Sequence, residues 1–219
     1  YAICYLAFFL ISLVSKSEGG YKLFTEDGPA RNTGALQGLQ ITGILWFGII
    51  PFYILGIPFS EMVFGDKFPD FFPALIFILI AVALSLFALI QSQNLFGKII
   101  SYKIVFKIFS RAFIARYILL RFLFLCAYEI FFRGYLFTDS LHYLGITEAV
   151  LLNVFLYTLL HAPGNKKEMI ACIPFGILLC VICIWLKAVW PAIVLHVSLS
   201  LTYEINLVRK FSKPLKAIL

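Results

Sequence analysis

Ala127-Tyr128-Glu129-Ile130-Phe131-Phe132-Arg133-Gly134 lies inside an apolar run from about Tyr117 to Phe137. An ionised side chain at mid-bilayer costs about 3 kcal/mol or more, so charges placed there face a protein interior and mark function. Spaced i and i+4, Glu129 and Arg133 project from one side of a helix and can neutralise each other. The stretch reads as a membrane-spanning helix with an inward polar stripe.

The surrounding sequence supports a membrane setting. Of 219 residues, 62% are hydrophobic and 13% are charged, whereas an ordinary soluble domain carries roughly 25% charge. Mean hydropathy is +0.98. Charge-free runs recur at Tyr1–Ser15, Ile41–Ser60, Phe71–Gly97, Ala149–Asn165, Met169–Leu186 and Ala188–Tyr203. A spanning helix needs about 20 residues. With the Glu129 helix, the pattern predicts about seven spans, near 1–14, 41–60, 72–92, 117–138, 147–162, 169–187 and 189–208. Tyr1 is not an initiator methionine, so an eighth span upstream is allowed for. The expected fold class is all-α: a polytopic integral membrane helix bundle, one domain over residues 1–219. No internal repeat is visible, which weighs against a transporter built from repeated halves.

Charge sets the expected orientation. If loops alternate sides, Lys16, Lys22, Arg31, Lys98, Lys103, Lys107, Arg111, Arg116, Lys166, Lys167, Arg209, Lys210, Lys213 and Lys216 share one side, against only Lys67 and Lys187 on the other. The positive-inside rule then puts loops 15–40, 93–116 and 163–168 and the C-terminus in the cytoplasm. The net charge of +7 suits that rule and anionic lipid headgroups. The basic residues flank spans and form no basic domain, so nucleic acid is not an expected partner. Lys98, Lys103, Lys107 and Arg111, interleaved with Ile104, Val105, Phe106 and Ile108, predict an amphipathic helix in the inner interface. Loop 15–40 reads as a flexible or partly ordered connection.

The five cysteines, Cys4, Cys126, Cys172, Cys180 and Cys183, all fall in predicted spans. Cys180 and Cys183 have a CxxC spacing without a second CxxC or polar helpers. They read as small packing residues, with neither disulfide nor metal expected.

Two histidines extend the polar set. Tyr157 and His161 lie one turn apart at the end of a span stopped by Pro163 and Gly164. In the last span His196, Ser200 and, less closely, Glu204 share a side. Any one of these can be structural: Glu129–Arg133 as a helix stitch, Ser200 bonded to its own backbone. Together, a carboxylate, a guanidinium and two imidazoles on three polar faces can form one hydrated cavity. Such a cavity holds the parts of a hydrolase: a base for water, an imidazole partner and an oxyanion donor. Glu129, His161 and His196 also match a catalytic zinc ligand set, though no HExxH helix accompanies them.

The order of these motifs resembles the CPBP (Abi) family, which groups CAAX prenyl proteases with bacteriocin-processing enzymes. The family pattern is E-E-x-x-x-R, then F-x-x-x-H, then H-x-x-x-N in successive or near-successive spans. This chain offers Tyr128-Glu129-x-x-x-Arg133-Gly134, Tyr157-x-x-x-His161 and His196-x-x-x-Ser200, over roughly 115–205. Phe175-Gly176 and Trp190-Pro191 before His196 add to the likeness. The resemblance implies a helical intramembrane endopeptidase without an obligatory metal, zinc being the cofactor to consider. Its substrate would be a prenylated-like or membrane-anchored peptide in a bacterial inner membrane. Site roles carried over are Glu129 as base, His161 as its partner, Arg133 as organiser, and His196 with Ser200 at the oxyanion side.

Three positions depart from the pattern. Tyr128 replaces the first glutamate, and a phenol with pKa near 10 is a poor base at neutral pH. Tyr157 replaces phenylalanine and Ser200 replaces asparagine. Either Glu129 acts as base, or Glu168 does so from the loop after His161, or proteolysis is lost. His161 and Glu168 fit the spacing of a single-glutamate branch of the family. The alternative to a peptidase is a catalytically silent scaffold or immunity-type subunit of a membrane complex. Lipids and a peptide or membrane-protein substrate are the expected partners, a complex only on that second reading.

Overall fold

The computed structural model describes residues 1–56, 59–67, 69–101 and 109–211. It is an all-α bundle of eight helices, with one small hairpin among the described residues. Helix α1 covers Ala2–Ser17 and is followed by strands β1 (Phe24–Thr25) and β2 (Gly28–Pro29), paired antiparallel. Next come α2 (Thr33–Leu55), α3 (Phe59–Phe64) and α4 (Phe71–Ser101). Helix α5 runs from Arg111 to Glu129, through a π-helical stretch Ile130–Leu136, into Phe137–Leu144. The chain closes with α6 (Ile146–Leu160), α7 (Lys166–Leu186) and α8 (Trp190–Phe211).

Each of the seven expected spans falls on helix, but the ends differ: α2 stops at Leu55, where Gly56 takes left-handed backbone, and α1 and α6 are shorter than the long apolar helices. Helix α2 starts at Thr33 because Asn32 caps it, its side chain accepting from the Ala35 amide at 2.9 Å. Helix α4 keeps going to Ser101. At 1.5 Å per residue it is roughly 46 Å long, against about 30 Å of hydrocarbon, so one end leaves the apolar layer. Lys98 and Ile99 therefore belong to α4 and not to a separate interfacial helix. Arg111 begins α5, and the middle of that amphipathic pattern, including Lys103 and Lys107, lies outside the described residues, as do Lys213 and Lys216.

Helices α2, α4, α7 and α8 are long and apolar enough to cross a membrane. Helix α5 is less apolar because it carries Arg116, Arg121, Glu129 and Arg133. Leu75, Leu79, Val82, Leu86 and Ile90 on α4 stay exposed, the outward apolar face expected where lipid is the solvent. The opposite side of α4 packs along α8, the most extensive helix pairing in the bundle. Helix α6 packs on α7, and α5 on α2 and α8.

Glycines set the closest approaches. A Cβ on Gly43 of α2 would stand 2.3 Å from the Phe124 ring of α5, so these helices meet only because position 43 is bare. A Cβ on Gly134 would stand 2.7 Å from Met62 Sδ, which lets α3 tuck against α5. Helix α2 has its own π turn, Leu45–Ile49, just before Pro51. Proline lacks the amide proton and crowds the carbonyl four residues back, which accounts for the wide turn. That turn presents Phe47, fully buried against the rings of Phe8, Phe131 and Tyr128 at 4.6, 4.6 and 5.5 Å.

The connection between α1 and α2 is only residues 18–32, and it is ordered. The hairpin turns Leu23 and Phe24 inward against Tyr117 and Leu207. Lys98 donates to Glu26 at 2.9 Å and holds that carboxyl below its usual range. We call residues 18–32 the strap, since they lie across one end of the bundle.

Candidate functional site

Helix α5 delivers Glu129 at the last residue before its π-helical stretch. Such wide turns often sit at functional sites. Here the extra width turns Arg133 back beside the carboxylate. Arg133 Nη1 lies 3.1 Å from Glu129 Oε2, both side chains fully buried. The other carboxylate oxygen, Oε1, is 2.5 Å from His196 Nδ1 on α8. Glu129 is thus held between an arginine one turn along its own helix and an imidazole on another.

Arg133 is braced further. Its guanidinium lies 4.4 Å from the Tyr157 ring centroid and 5.8 Å from that of Phe132. Gly176 on α7 leaves the room: a Cβ there would come within 3.2 Å of Tyr157 and 3.7 Å of Arg133 Nη2. The Phe175-Gly176 step noted in the sequence therefore has a packing reason.

His161 ends α6 as its C-terminal cap. Its Nδ1 is 2.9 Å from the Tyr157 carbonyl oxygen. A carbonyl can only accept, so the proton is on Nδ1 and Nε2 carries the lone pair. The same logic applies to His196, whose Nδ1 faces a carboxylate. Both imidazoles thus keep Nε2 as the proton-accepting nitrogen. Between them stands Tyr128, its ring centroid 6.3 Å from His161 and 5.9 Å from His196. Tyr157 also touches both, at 4.8 and 6.3 Å. Glu129, Arg133, His161 and His196 therefore converge, His161 joined to the others through two tyrosine rings.

Ser200 and Glu168 go elsewhere. The Ser200 hydroxyl accepts from Arg121 Nε and Nη2 at 3.2 and 3.1 Å. Arg121 also pairs with Glu204 at 3.3 Å, and Tyr117 donates to Glu204 at 2.8 Å. Ser200 belongs to this second polar cluster, one turn along α8 from His196. Glu168, the alternative base, is ion-paired with Lys22 of the strap. As arranged, Glu129 and His196 aim their donor atoms at each other and not at a common point. Among the described residues no three His, Cys, Asp or Glu side chains are placed to hold an ion. These donors do not form a metal site. All five cysteines are free thiols.

Two contributors were missed in the sequence. Asn153, fully buried, donates to the Phe132 carbonyl at 2.6 Å inside the π-helical stretch and accepts from Cys180 at 3.4 Å. Its signal was available: Asn153, Tyr157 and His161 follow one another at intervals of four on one helix face. Arg121 was equally visible as a third formal charge within the 117–138 span.

A helical membrane bundle with a buried glutamate–arginine–histidine centre defines the class of this protein. Residues 110–202 match the family model described as type II CAAX prenyl endopeptidase Rce1-like, consistent with the CPBP family. The matched segment runs from the N-terminal cap of α5 to the middle of α8 and takes in every member of the centre. No curated protein and no solved structure matches the chain.

Proposed function

We propose that the protein is an intramembrane endopeptidase of the CPBP type, acting on a membrane-associated or prenylated-like peptide. The observation that supports this most is the buried hydrogen bond from His196 Nδ1 to Glu129, with Arg133 on the other carboxylate oxygen. The carboxylate fixes the imidazole in the tautomer whose Nε2 can accept a proton, and it stabilises the imidazolium that results. Arg133 offsets the carboxylate charge from the other side. Glu129 and His196 in this reading form one base, where the sequence reading makes His161 the partner of Glu129.

The chemistry balances with water as the only co-reactant. A water oxygen attacks the scissile carbonyl carbon while its proton passes to His196 Nε2. The tetrahedral intermediate then breaks its C–N bond, and the leaving nitrogen takes that proton from the imidazolium. His161 Nε2, on the other side of Tyr128, orients the water. The strap end of the bundle and the C-terminus face the cytoplasm of a bacterial inner membrane, where the basic residues meet anionic lipid.

The test is cleavage of quenched fluorogenic peptides, anchored by a prenylcysteine or a transmembrane helix, in proteoliposomes. Wild-type protein cleaves and Glu129→Gln does not. Cleavage by Glu129→Gln at the wild-type rate eliminates the glutamate–histidine base. The silent-scaffold reading is favoured by one observation, the engagement of both Glu129 oxygens by neighbours. It predicts that Glu129→Gln harms stability alone, with no turnover in any form of the protein.

A further inference from the structure

Tyr128 carries a hydroxyl with no hydrogen-bond partner among the described residues, although the residue is only 3% exposed. Leaving a buried hydroxyl unpaired costs about 1–3 kcal/mol. Phenylalanine would fill the same space without that cost. The ring is clamped by Phe132, Phe47 and Phe124 at 4.6, 5.5 and 5.6 Å. On its other side it stands edge-on to both imidazoles, at interplanar angles of 79° and 85°. The packing fixes the ring, and the described residues offer its hydroxyl nothing to bond.

Apart from Arg133, whose N–H groups also make no hydrogen bond among the described residues, the other donors of the centre are engaged. Both Nδ1–H groups are spent on Tyr157 and Glu129, and both Nε2 atoms accept. The Arg133 guanidinium is ion-paired with Glu129 and held against the Tyr157 face, which ties it to the carboxylate side of the centre. Ser200, expected on the oxyanion side, is turned to Arg121. A phenol is a good donor and, as a neutral group, tolerates an apolar cage.

We propose that the Tyr128 hydroxyl donates to the carbonyl oxygen of the scissile amide and steadies the negative charge that develops there. This rests on the peptidase reading above. Tyr128 keeps its proton throughout: the hydrogen bond strengthens as the carbonyl becomes an oxyanion and relaxes when the C–N bond breaks. The tyrosine that departs from the family pattern thereby supplies an electrophilic donor in place of a base.

Wild-type, Tyr128→Phe and Glu129→Gln proteins in the same fluorogenic assay decide the matter, with thermal midpoints measured on each. The expected result is a Tyr128→Phe protein at least as heat-stable as wild type, with KM within about two-fold and kcat lowered about 100- to 1,000-fold. A merely structural tyrosine would leave kcat alone. Wild-type kcat in Tyr128→Phe, alongside an inactive Glu129→Gln, overturns the donor role and leaves the peptidase reading standing. A Tyr128→Phe protein that fails to fold shows that the hydroxyl has a structural partner, and this also overturns the role. If wild type cleaves none of the peptides, the peptidase reading fails and the donor role falls with it.

Discussion

Glu129 Oε1 and His196 Nδ1 stand 2.5 Å apart although 67 residues separate them in the chain. The contact ties α5 to α8 at a depth where water cannot compensate a broken bond. If the two residues work as one base, removing either disables it and removing both adds little. Glu129→Gln and His196→Gln are each expected to lower turnover at least about 1,000-fold, and the double variant to be no worse than about two-fold below the poorer single. A double-mutant cycle on kcat measures this; additive losses would mean that the two act independently.

Arg133 has a separable, structural consequence. Its charge is fully buried and offset by Glu129, so Arg133→Met leaves a carboxylate in the bundle with only the His196 imidazole beside it. Breaking one partner of a buried pair costs about 3–5 kcal/mol. Arg133→Met should unfold in detergent at a markedly lower temperature, and Glu129→Gln added to it should recover part of the loss. Arg133→Lys should recover less than charge alone suggests, because an ammonium cannot stack as a plane on Tyr157.

Much of this arrangement could be read from residues alone, for identifiable reasons. Spans are written in the absence of charge, so α2, α4, α7 and α8 stood out, and Glu129 and Arg133 stood out against the same background. What could not be read depends on three dimensions. His161 is joined to the rest of the centre through the rings of Tyr128 and Tyr157, which no spacing rule anticipates. The π-helical stretch at Ile130–Leu136 needs Asn153 from the next helix. Ser200 looked like the neighbour of His196, but Arg121 claims its hydroxyl from across the bundle. Loop 15–40 reads as a flexible or partly ordered connection because it is polar; Leu23 and Phe24 are what anchor its strap portion.

The α2–α5 contact offers a packing test with an internal control. A methyl at Gly43 would sit 2.3 Å from Phe124 and 2.9 Å from Phe8, whereas one at Gly97 meets nothing within 4 Å. Gly43→Ala forces the helices apart or twists Phe124, an overpacking cost of about 1–3 kcal/mol. Gly97→Ala instead gains up to about 1 kcal/mol of helix propensity. Thermal midpoints in one detergent should therefore move in opposite directions, and a neutral Gly43→Ala would mean that α2 and α5 pack differently.

The strap is fastened at the end of the bundle nearest His161. Lys22 pairs with Glu168 and Tyr21 donates to the Leu160 carbonyl at 3.4 Å, while Lys16 at the end of α1 donates to the Gly164 carbonyl at 3.4 Å. Tyr21 also packs on the buried cluster that contains Cys172 and Tyr157, so lifting the strap uncovers Cys172. A partly exposed ion pair is worth about 0.2–1 kcal/mol, which as an opening equilibrium is at most about five-fold. Glu168→Gln should accordingly speed maleimide labelling of Cys172 by about two- to five-fold, read by mass spectrometry. Cys183, buried against α4 and α8 instead, should label at an unchanged rate. Equal acceleration at both cysteines would point to loosening of the whole bundle, and no change at Cys172 would mean that Lys22 and Glu168 do not hold the strap down.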